Sequence, residues 1–416
     1  MAAQESSLGP LRALGAALVI AALAGCAAGP RPQTGGPPVE LHRPPEAAAP
    51  VRLEPGEEPL DGPALRVLLR RGSQGLKVSA PGGLRLCSTA GATLARLPPR
   101  GRAGLSASGG RITMGRRSLG VADAIVLPLK GGETLRVGGR RYRGRLVLRA
   151  QNDKLALVDV VGLEDYLRGV LPSEVGEGPT EALKAQAVAA RSFAVASMQG
   201  AAGRSWDLDN SADSQVYKGR EEETAAADAA VAGTRGQILA WGRSVARAFF
   251  HSNSGGHTAD AGEVWEGGQI PAYLLGVEDP WSESMPHDAW STTLPREQVE
   301  LLLERAGLWQ GFLETVVGHA LSDSGRWTRV DLVGHRGLRT TVTANDFRKA
   351  LGPDRLRSTR FRVRQDGDSL VFEGHGWGHG VGMSQEGAFA MAKDGRQYRD
   401  ILRFYYPGTR VATLRE

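Results

Sequence analysis

The stretch from Glu181 to Met198 constrains the fold more than any other part of this sequence. It is rich in alanine and apolar on nearly every face, so a helix built from it must be buried. Pro179 and Thr180 precede it, and Glu181 falls in the first turn, which predicts a helix with Thr180 as its N-cap. Arg191 interrupts the apolar surface. A buried guanidinium is costly without a partner, so we expect Arg191 to face a carboxylate in a structural ion pair or a cleft that receives one.

The segments around this helix alternate between strand and helix patterns without regular βαβ order. Short apolar-alternating runs separated by glycine pairs predict antiparallel strands from residue 64 to about 150. Further patterns predict a helix, a hairpin, a helix, a strand pair and two C-terminal helices, at 221–231, 237–250, 295–308, 326–342, 384–393 and 398–405. This mixture predicts an α+β fold, in which a small β-rich module precedes a main domain of mixed helices and antiparallel strands.

The N-terminus has the pattern of an export signal. Arg12 precedes an apolar run over residues 13–23, which is too short to span a bilayer but suits a signal peptide. The sequence Leu-Ala-Gly before Cys26 resembles a lipobox, in which that thiol is lipidated. The alternative is an ordinary signal peptide in which Cys26 is incidental. The proline-rich sequence that follows predicts an extended tether.

The chain therefore divides into four predicted parts. These are a lipoprotein signal peptide at 1–26, a Pro/Gly-rich tether at 27–62, a β-rich N-terminal module at 63–150 and the main domain at 151–416. Only two cysteines occur, so a disulfide framework is excluded, and Cys87 is expected to be a small buried residue. The formal charge of +6 suits an anionic partner such as nucleic acid, a membrane surface or a cell-wall polymer, and does not choose between them. No nucleic-acid-binding motif or long basic run is present, so we expect no nucleic-acid partner.

Glu174 is the first candidate for chemistry. It follows an apolar segment, in a predicted loop just before the buried helix. A carboxyl group beside apolar residues has a raised pKa, and a raised pKa lets a general acid hold its proton near neutral pH. The alternatives are a glutamate on a surface loop, or a carboxylate that bonds to the start of the helix.

Four histidines lie in two glycine-rich segments. His251 and His257 flank one of them, and His375 and His379 bracket Gly376-Trp377-Gly378 in the other. A His-x-x-x-His pair binds zinc when both residues share one face of a helix, and the glycines make a helix improbable here. A zinc hydrolase built from these histidines stays open as one hypothesis. Loops that line a groove fit the pattern better, so no metal and no cofactor is assigned.

Several ordered motifs together resemble the SpoIID/LytB family. The resemblance spans about residues 155–409 and rests on residues 163–174 (LEDYLRGVLPSE), 181–194 (EALKAQAVAARSFA), 215–219 (QVYKG), 250–258 (FHSNSGGHT), 264–265, 273–274, 277–281, 345–352, 376–385 (GWGHGVGMSQ) and 405–409 (YYPGT). It implies that residues 151–416 form a SpoIID-type domain. Some members hold a metal with a Cys/His pair just before the QVY motif. Asp213 and Ser214 stand there in this sequence, so the metal is not expected.

The resemblance also implies an activity and a set of site residues. SpoIID members are lytic transglycosylases that cut peptidoglycan glycan strands stripped of their peptides, and by this resemblance Glu174 is the catalytic acid/base. The residues expected to bind substrate are Arg191, Gln215, Tyr217, Ser254, His379 and Gln385. LytB members are instead enhancers of a wall amidase, so a glycan-binding module that stimulates an amidase is the competing hypothesis. Either reading predicts an exported lipoprotein of the cell envelope.

Overall fold

The computed structural model of the protein describes residues 39–40, 58–211, 214–265, 267 and 269–415. The predicted signal peptide at 1–26, with its lipidation site Cys26, lies outside these residues, as does most of the tether predicted at 27–62. The described residues belong to one compact unit, Gly36–Glu416. Within the described ranges, no helix is both long enough and apolar enough to cross a membrane.

The α-helices of the described residues are α1 (Leu163–Val175), α2 (Thr180–Gly200), α3 (Ala225–Gly233), α4 (Ala261–Val264), α5 (Arg296–Arg305), α6 (Ala344–Leu351), α7 (Gln385–Lys393) and α8 (Tyr398–Tyr405). The strands up to α1 are β1 (Val39–Glu40), β2 (Ala64–Ser73), β3 (Gly75–Ser79), β4 (Leu84–Ser88), β5 (Thr93–Leu97), β6 (Arg102–Ser108), β7 (Arg111–Met114), β8 (Arg117–Ser118), β9 (Asp123–Pro128), β10 (Leu135–Val137), β11 (Arg140–Tyr142), β12 (Arg145–Gln151) and β13 (Lys154–Gly162). The later strands are β14 (Leu208–Asp209), β15 (Gln237–Trp241), β16 (Ser244–Val245), β17 (Phe250–His251), β18 (Ala289–Pro295), β19 (Leu313–Leu321), β20 (Trp327–Gly334), β21 (Arg339–Thr343), β22 (Phe361–Asp366), β23 (Ser369–His375), β24 (Met383–Ser384) and β25 (Arg410–Arg415).

Two mainly antiparallel sheets make up the N-terminal part. One has the strand order β14-β2-β13-β12-β9-β4-β5 and the other β11-β10-β3-β6-β7-β8. Strand β13 pairs with both β12 and β2, so the β12–β13 hairpin crosses the boundary predicted between residues 150 and 151. The β-rich segment and the start of the following domain therefore share a sheet. Cys87 is fully buried in β4, and its Sγ lies 3.7 Å from the Ile125 carbonyl oxygen.

Helix α2 confirms the prediction of a buried helix. It packs against α1, α3, α7, α8 and β15, and nearly all of its residues from Ala182 to Met198 are buried. The predicted start is wrong by one residue, because Pro179 occupies the N-cap position and Thr180 is the first helical residue. Proline at this position loses nothing, since the first N–H groups of a helix have no intrahelical acceptor.

Most other local predictions agree with the structure, and the α+β fold class is confirmed. Helices α5, α7 and α8 and the strand pair β20–β21 lie inside the predicted segments or within a residue of them. Helix α3 begins at Ala225 rather than Glu221, because the Thr224 hydroxyl caps it by accepting from the Ala227 N–H at 3.2 Å. The hairpin predicted to end at Phe250 ends at Val245 instead.

The segment from β18 to β23 has an apolar core of its own. Strands β18, β23 and β22 form one sheet, and β19, β20 and β21 form another. Helices α5 and α6 pack against these strands, with Val299, Phe347 and Phe372 fully buried between them. This packing fixes α6, and α6 supplies one wall of the cleft described next.

Candidate functional site

A solvent-open cleft of about 590 Å³ lies where α1, α2, α6 and α7 approach the two glycine-rich segments. Its walls are aromatic and basic for the most part, with Glu174 and Asp354 as the carboxyl groups among the described lining residues. Of the site residues predicted from sequence, Glu174, His379 and Gln385 line this cleft. The other four lie behind its walls.

The two glycine-rich segments meet backbone to backbone. Asn253 and Trp377 exchange two hydrogen bonds, at 3.0 Å from the Asn253 N–H and 2.8 Å from the Trp377 N–H. Gly376 has φ +77°, and a Cβ there would come within 2.8 Å of the Asn253 carbonyl oxygen. Only glycine meets both requirements without strain. This contact places the ring of Trp377 at the cleft beside His379.

Glu174 lies in the last turn of α1, not in the loop that the sequence predicted. Its carboxyl group is half-buried, and Oε1 accepts a hydrogen bond from the Val216 N–H at 2.5 Å. Burial raises the pKa of Glu174, while the Val216 N–H and the charge of Lys218 act in the opposite direction. The net shift is upward, as a general acid requires.

Gln215 and Tyr217, which the resemblance predicts to bind substrate, do not line the cleft. Each is 1% exposed. Gln215 Oε1 accepts from the Tyr166 hydroxyl at 2.9 Å, and the Tyr217 hydroxyl donates to Asp159 Oδ2 at 3.0 Å. These bonds anchor the residues on both sides of Val216. Gln215 and Tyr217 therefore hold the backbone N–H that contacts the glutamate of the cleft.

Arg191, a second residue that the resemblance predicts to bind substrate, also lies outside the cleft lining. Its side chain is fully buried, with Nε and Nη2 donating to the two carboxylate oxygens of Glu164 at 3.0 and 2.8 Å. Nη1 donates to the Gln237 carbonyl oxygen at 3.0 Å. Such a paired guanidinium is a structural ion pair. It ties α2 to the first turn of α1 and to β15.

Ser254 is the fourth predicted substrate-binding residue outside the cleft lining; it is fully buried, and its hydroxyl is bonded inside the protein. Oγ donates to Asp279 Oδ2 at 2.7 Å, and Ser282 Oγ lies within hydrogen-bonding distance as well. The Tyr405 hydroxyl donates to Asp279 Oδ1 at 2.9 Å. Arg326 Nη2 donates to the Ser254 carbonyl oxygen at 2.6 Å. This network fixes the first glycine-rich segment and bonds both the hydroxyl and the carbonyl oxygen of Ser254 inside the protein.

His379 contributes a neutral imidazole to the cleft. Its Nδ1 accepts from the Val381 N–H at 3.0 Å, which assigns the proton of the neutral ring to Nε2. Burial lowers the pKa of His379 to about 3, and the charges of Arg348 and Arg326 act in the same direction. His379 therefore cannot serve as an acid at neutral pH. Gln385 lines the same cleft as the first residue of α7.

The four histidines are dispersed. His251 and His379 have ring centroids 5.6 Å apart, and both line the cleft. His375 Nδ1 lies 3.2 Å from Asp288 Oδ1, and His257 Nδ1 lies 2.6 Å from a backbone carbonyl oxygen. Across the described residues, no group of three or more histidine, cysteine, aspartate or glutamate side chains is placed to hold a metal ion.

The basic residues of the cleft were missed by sequence reasoning. Arg247 lies two residues after β16, and its guanidinium carbon stands 5.4 Å from the ring centroid of Phe193 and 5.3 Å from that of Phe249. Arg348 and Lys349 come from α6. Arg348 and Lys349 lie in the motif at 345–352 and Arg247 lies in no distinctive pattern, but nothing in the sequence marks any of the three as lining a cleft, so only the structure identifies them.

Fold and site together define an α+β protein whose cleft is built around one glutamic acid between aromatic and basic walls. Two family models match the sequence. The stage II sporulation protein model (SpoIID) matches residues 151–241, which hold Glu174 and α2. A domain of unknown function (DUF8618) matches residues 281–382, which hold α6 and most of the second glycine-rich segment.

Relatives agree with the first match. An uncharacterised protein of Brachyspira hyodysenteriae is 33% identical over 300 residues, covering 70% of this chain and 76% of the relative. The stage II sporulation protein D of Bacillus subtilis is 33% identical over 302 residues, covering 68% of this chain and 82% of that protein. The amidase enhancer of Bacillus subtilis is 28% identical over 295 residues, covering 59% of this chain and 40% of that protein. This chain belongs to the SpoIID family, which confirms the resemblance seen in the motifs.

Proposed function

We propose that this protein acts on peptidoglycan, cleaving peptide-stripped glycan strands as a lytic transglycosylase with Glu174 as its single acid/base. Membership of the SpoIID family supports a role at the cell wall. The observation that carries the proposal is the setting of Glu174. It is half-buried in an open cleft, with a raised pKa and one fixed hydrogen-bond donor at Val216.

In the first step, protonated Glu174 donates its proton to the glycosidic oxygen as the bond to muramic acid breaks. Positive charge then develops on the sugar, as in other glycoside cleavages. The carboxylate left behind is stabilised by the Val216 N–H at Oε1.

In the second step, the Glu174 carboxylate takes a proton from the 6-hydroxyl of the same sugar. The 6-oxygen closes on C1 and forms a 1,6-anhydro ring, which restores protonated Glu174. No water enters, so the second carboxylate of an ordinary glycosidase is not needed. Trp265 and Trp377, which line the cleft, offer faces on which sugar rings can stack.

The test is direct cleavage. Purified protein is incubated with amidase-treated, peptide-free glycan strands, and the products are analysed by mass spectrometry beside a Glu174→Gln variant. Gln keeps the shape of Glu174 but cannot donate the proton. Anhydro-ended fragments from the wild type alone would establish the reaction. Equal release by the Glu174→Gln variant would disprove the role of Glu174.

An amidase-enhancing module is the second candidate. The alignment with the Bacillus subtilis amidase enhancer favours it, as does a cleft suited to hold a glycan without cutting it. In this case a wall amidase would be the partner. Strand binding without cleavage, together with faster amidase turnover when the protein is added, would support this candidate. An unchanged amidase rate would rule it out.

We also propose export and lipid anchoring through Cys26. A lipidated N-terminus followed by an extended tether would let the domain reach glycan from a membrane. Incorporation of a labelled fatty acid in cells, abolished by Cys26→Ser, is the expected result. Labelling that persists in the Cys26→Ser protein would contradict this anchor.

A further inference from the structure

Arg247 is a fixed cation in the cleft. Its backbone N–H donates to the Tyr273 hydroxyl at 3.0 Å, and its guanidinium lies over the rings of Phe193 and Phe249. Stacking on aromatic faces holds the guanidinium plane in place and leaves its N–H edges available. The side chain is exposed to solvent. A small molecule or polymer that enters the cleft can therefore reach it.

No anionic partner of Arg247 is found among the residues that the structure describes. Among the described residues it takes part in no ion pair, and its charged neighbour Arg204 is a second cation. Two more cations, Arg348 and Lys349, line the same cleft. Burial also favours the uncharged form of Glu174, which reduces the negative charge available inside. Among the described lining residues these three cations outnumber the two carboxyl groups, Glu174 and Asp354, so the balance of charge favours an anion that comes from outside.

We propose that Arg247 binds the free lactyl carboxylate of muramic acid and so selects glycan strands from which the peptides have been removed. This inference rests on the proposed function, because it assumes that glycan occupies this cleft. Muramic acid carries a lactyl group whose carboxyl is an amide while a stem peptide is attached. Removal of the peptide releases a carboxylate, so the negative charge exists only on stripped strands.

The geometry of a guanidinium suits this group. Its planar fork binds a carboxylate through two parallel hydrogen bonds, and charge-assisted bonds of this kind are stronger than neutral ones. A strand that still carries its stem peptides offers an amide at the same position, which brings no charge to the guanidinium. Selection would therefore act through charge as well as through the bulk of the peptide.

The test compares two strands on one protein background. Dissociation constants are measured with the Glu174→Gln protein, so that no cleavage occurs during the measurement. One strand is peptide-free with free lactyl carboxylates, and the other is the same material with those carboxylates converted to primary amides. We expect the carboxylate strand to bind roughly ten-fold or more tightly, the scale of a hydrogen bond between charged groups.

Arg247→Met, added to the same background, is expected to abolish that preference. Methionine keeps an apolar side chain on the Phe193 and Phe249 rings but has no charge. Arg243→Met is the matched control, because Arg243 is an exposed arginine in the turn between β15 and β16, four residues before Arg247 and outside the cleft lining. It should keep the full preference. If Arg247→Met fails to fold, Arg247→Gln is judged by the same criterion.

Equal binding of the two strands by the Glu174→Gln protein that retains Arg247 would overturn the inference. A preference for the carboxylate strand that survives Arg247→Met would overturn it as well. Both outcomes are independent of catalysis, because Gln replaces Glu174 throughout. Absence of anhydro products from the wild type would defeat the proposed function. The dissociation constants of the carboxylate and amide strands could still be compared in that case. A ten-fold preference abolished by Arg247→Met but kept by Arg243→Met supports the inference.

Discussion

The Val216 N–H donates to Glu174 Oε1 at 2.5 Å, across 42 positions of sequence. This bond joins the last turn of α1 to a segment that is itself fixed by buried side chains of Gln215 and Tyr217. The orientation of the candidate acid thus depends on residues that lie outside the cleft lining. The same bond stabilises the carboxylate that would form after proton transfer.

Cleavage should require protonated Glu174. Burial raises the pKa of Glu174 above its ordinary value of 4.5, so the fraction of active enzyme falls as the pH rises through that raised pKa. We expect kcat/KM on peptide-free strands to decline toward alkaline pH. His379 is deprotonated above pH 4, since its pKa is about 3, and adds no further step. A rate that increases steadily from pH 5 to pH 8 would contradict the assignment.

Removal of Arg191 should destabilise the protein and not act on substrate directly. Arg191→Met leaves the buried carboxylate of Glu164 without its partner, which costs about 3–5 kcal/mol. Replacing both residues, with Glu164→Gln in addition, should recover part of this loss. Urea denaturation of the single and double variants measures the effect. Unchanged stability with weakened glycan binding would instead place Arg191 in contact with substrate.

Asp159 should make the stability depend on pH. Burial raises the pKa of Asp159 well above its ordinary value of 3.8, while the bond from the Tyr217 hydroxyl opposes the shift. The folded state then binds more protons than the unfolded state, so stability falls as the pH rises above about 4. We expect Asp159→Asn to reduce this fall in urea denaturation between pH 5 and pH 8. An identical pH dependence in both proteins would show that Asp159 is not its source.

Gly376→Ala should disrupt the cleft. The new Cβ would lie 2.8 Å from the Asn253 carbonyl oxygen, in addition to the strain of φ +77°. Gly395→Ala is the matched control, because φ is +86° there and nothing lies within 4 Å of the added Cβ. The control should lose only about 1 kcal/mol of stability. We expect Gly376→Ala to lose more stability and also glycan binding, measured by thermal unfolding and co-sedimentation. Equal behaviour of the two variants would refute the close contact.

The sequence by itself determined the fold class, the buried helix and the family. The buried helix follows from local chemistry, since an alanine-rich run that is apolar on nearly every face must be buried. The family follows from the order of the motifs along the chain, which can be seen without knowing their contacts in the fold. Most element bounds were also predictable, because caps and hydrophobic periodicity act within a few residues. Thr224 at the start of α3 shows this locality, although its cap was not predicted.

Only the tertiary structure decided which motif residues face the cleft. Arg191, Gln215, Tyr217 and Ser254 lie in family motifs, yet their polar atoms are bonded inside the protein. Arg247 lies in no distinctive pattern, yet it reaches the cleft. The sequence of a motif is the same whether its polar side chain binds a ligand or another part of the protein. Its partner, 27 positions away for Arg191 and 58 for Tyr217, is set by packing that local sequence does not encode.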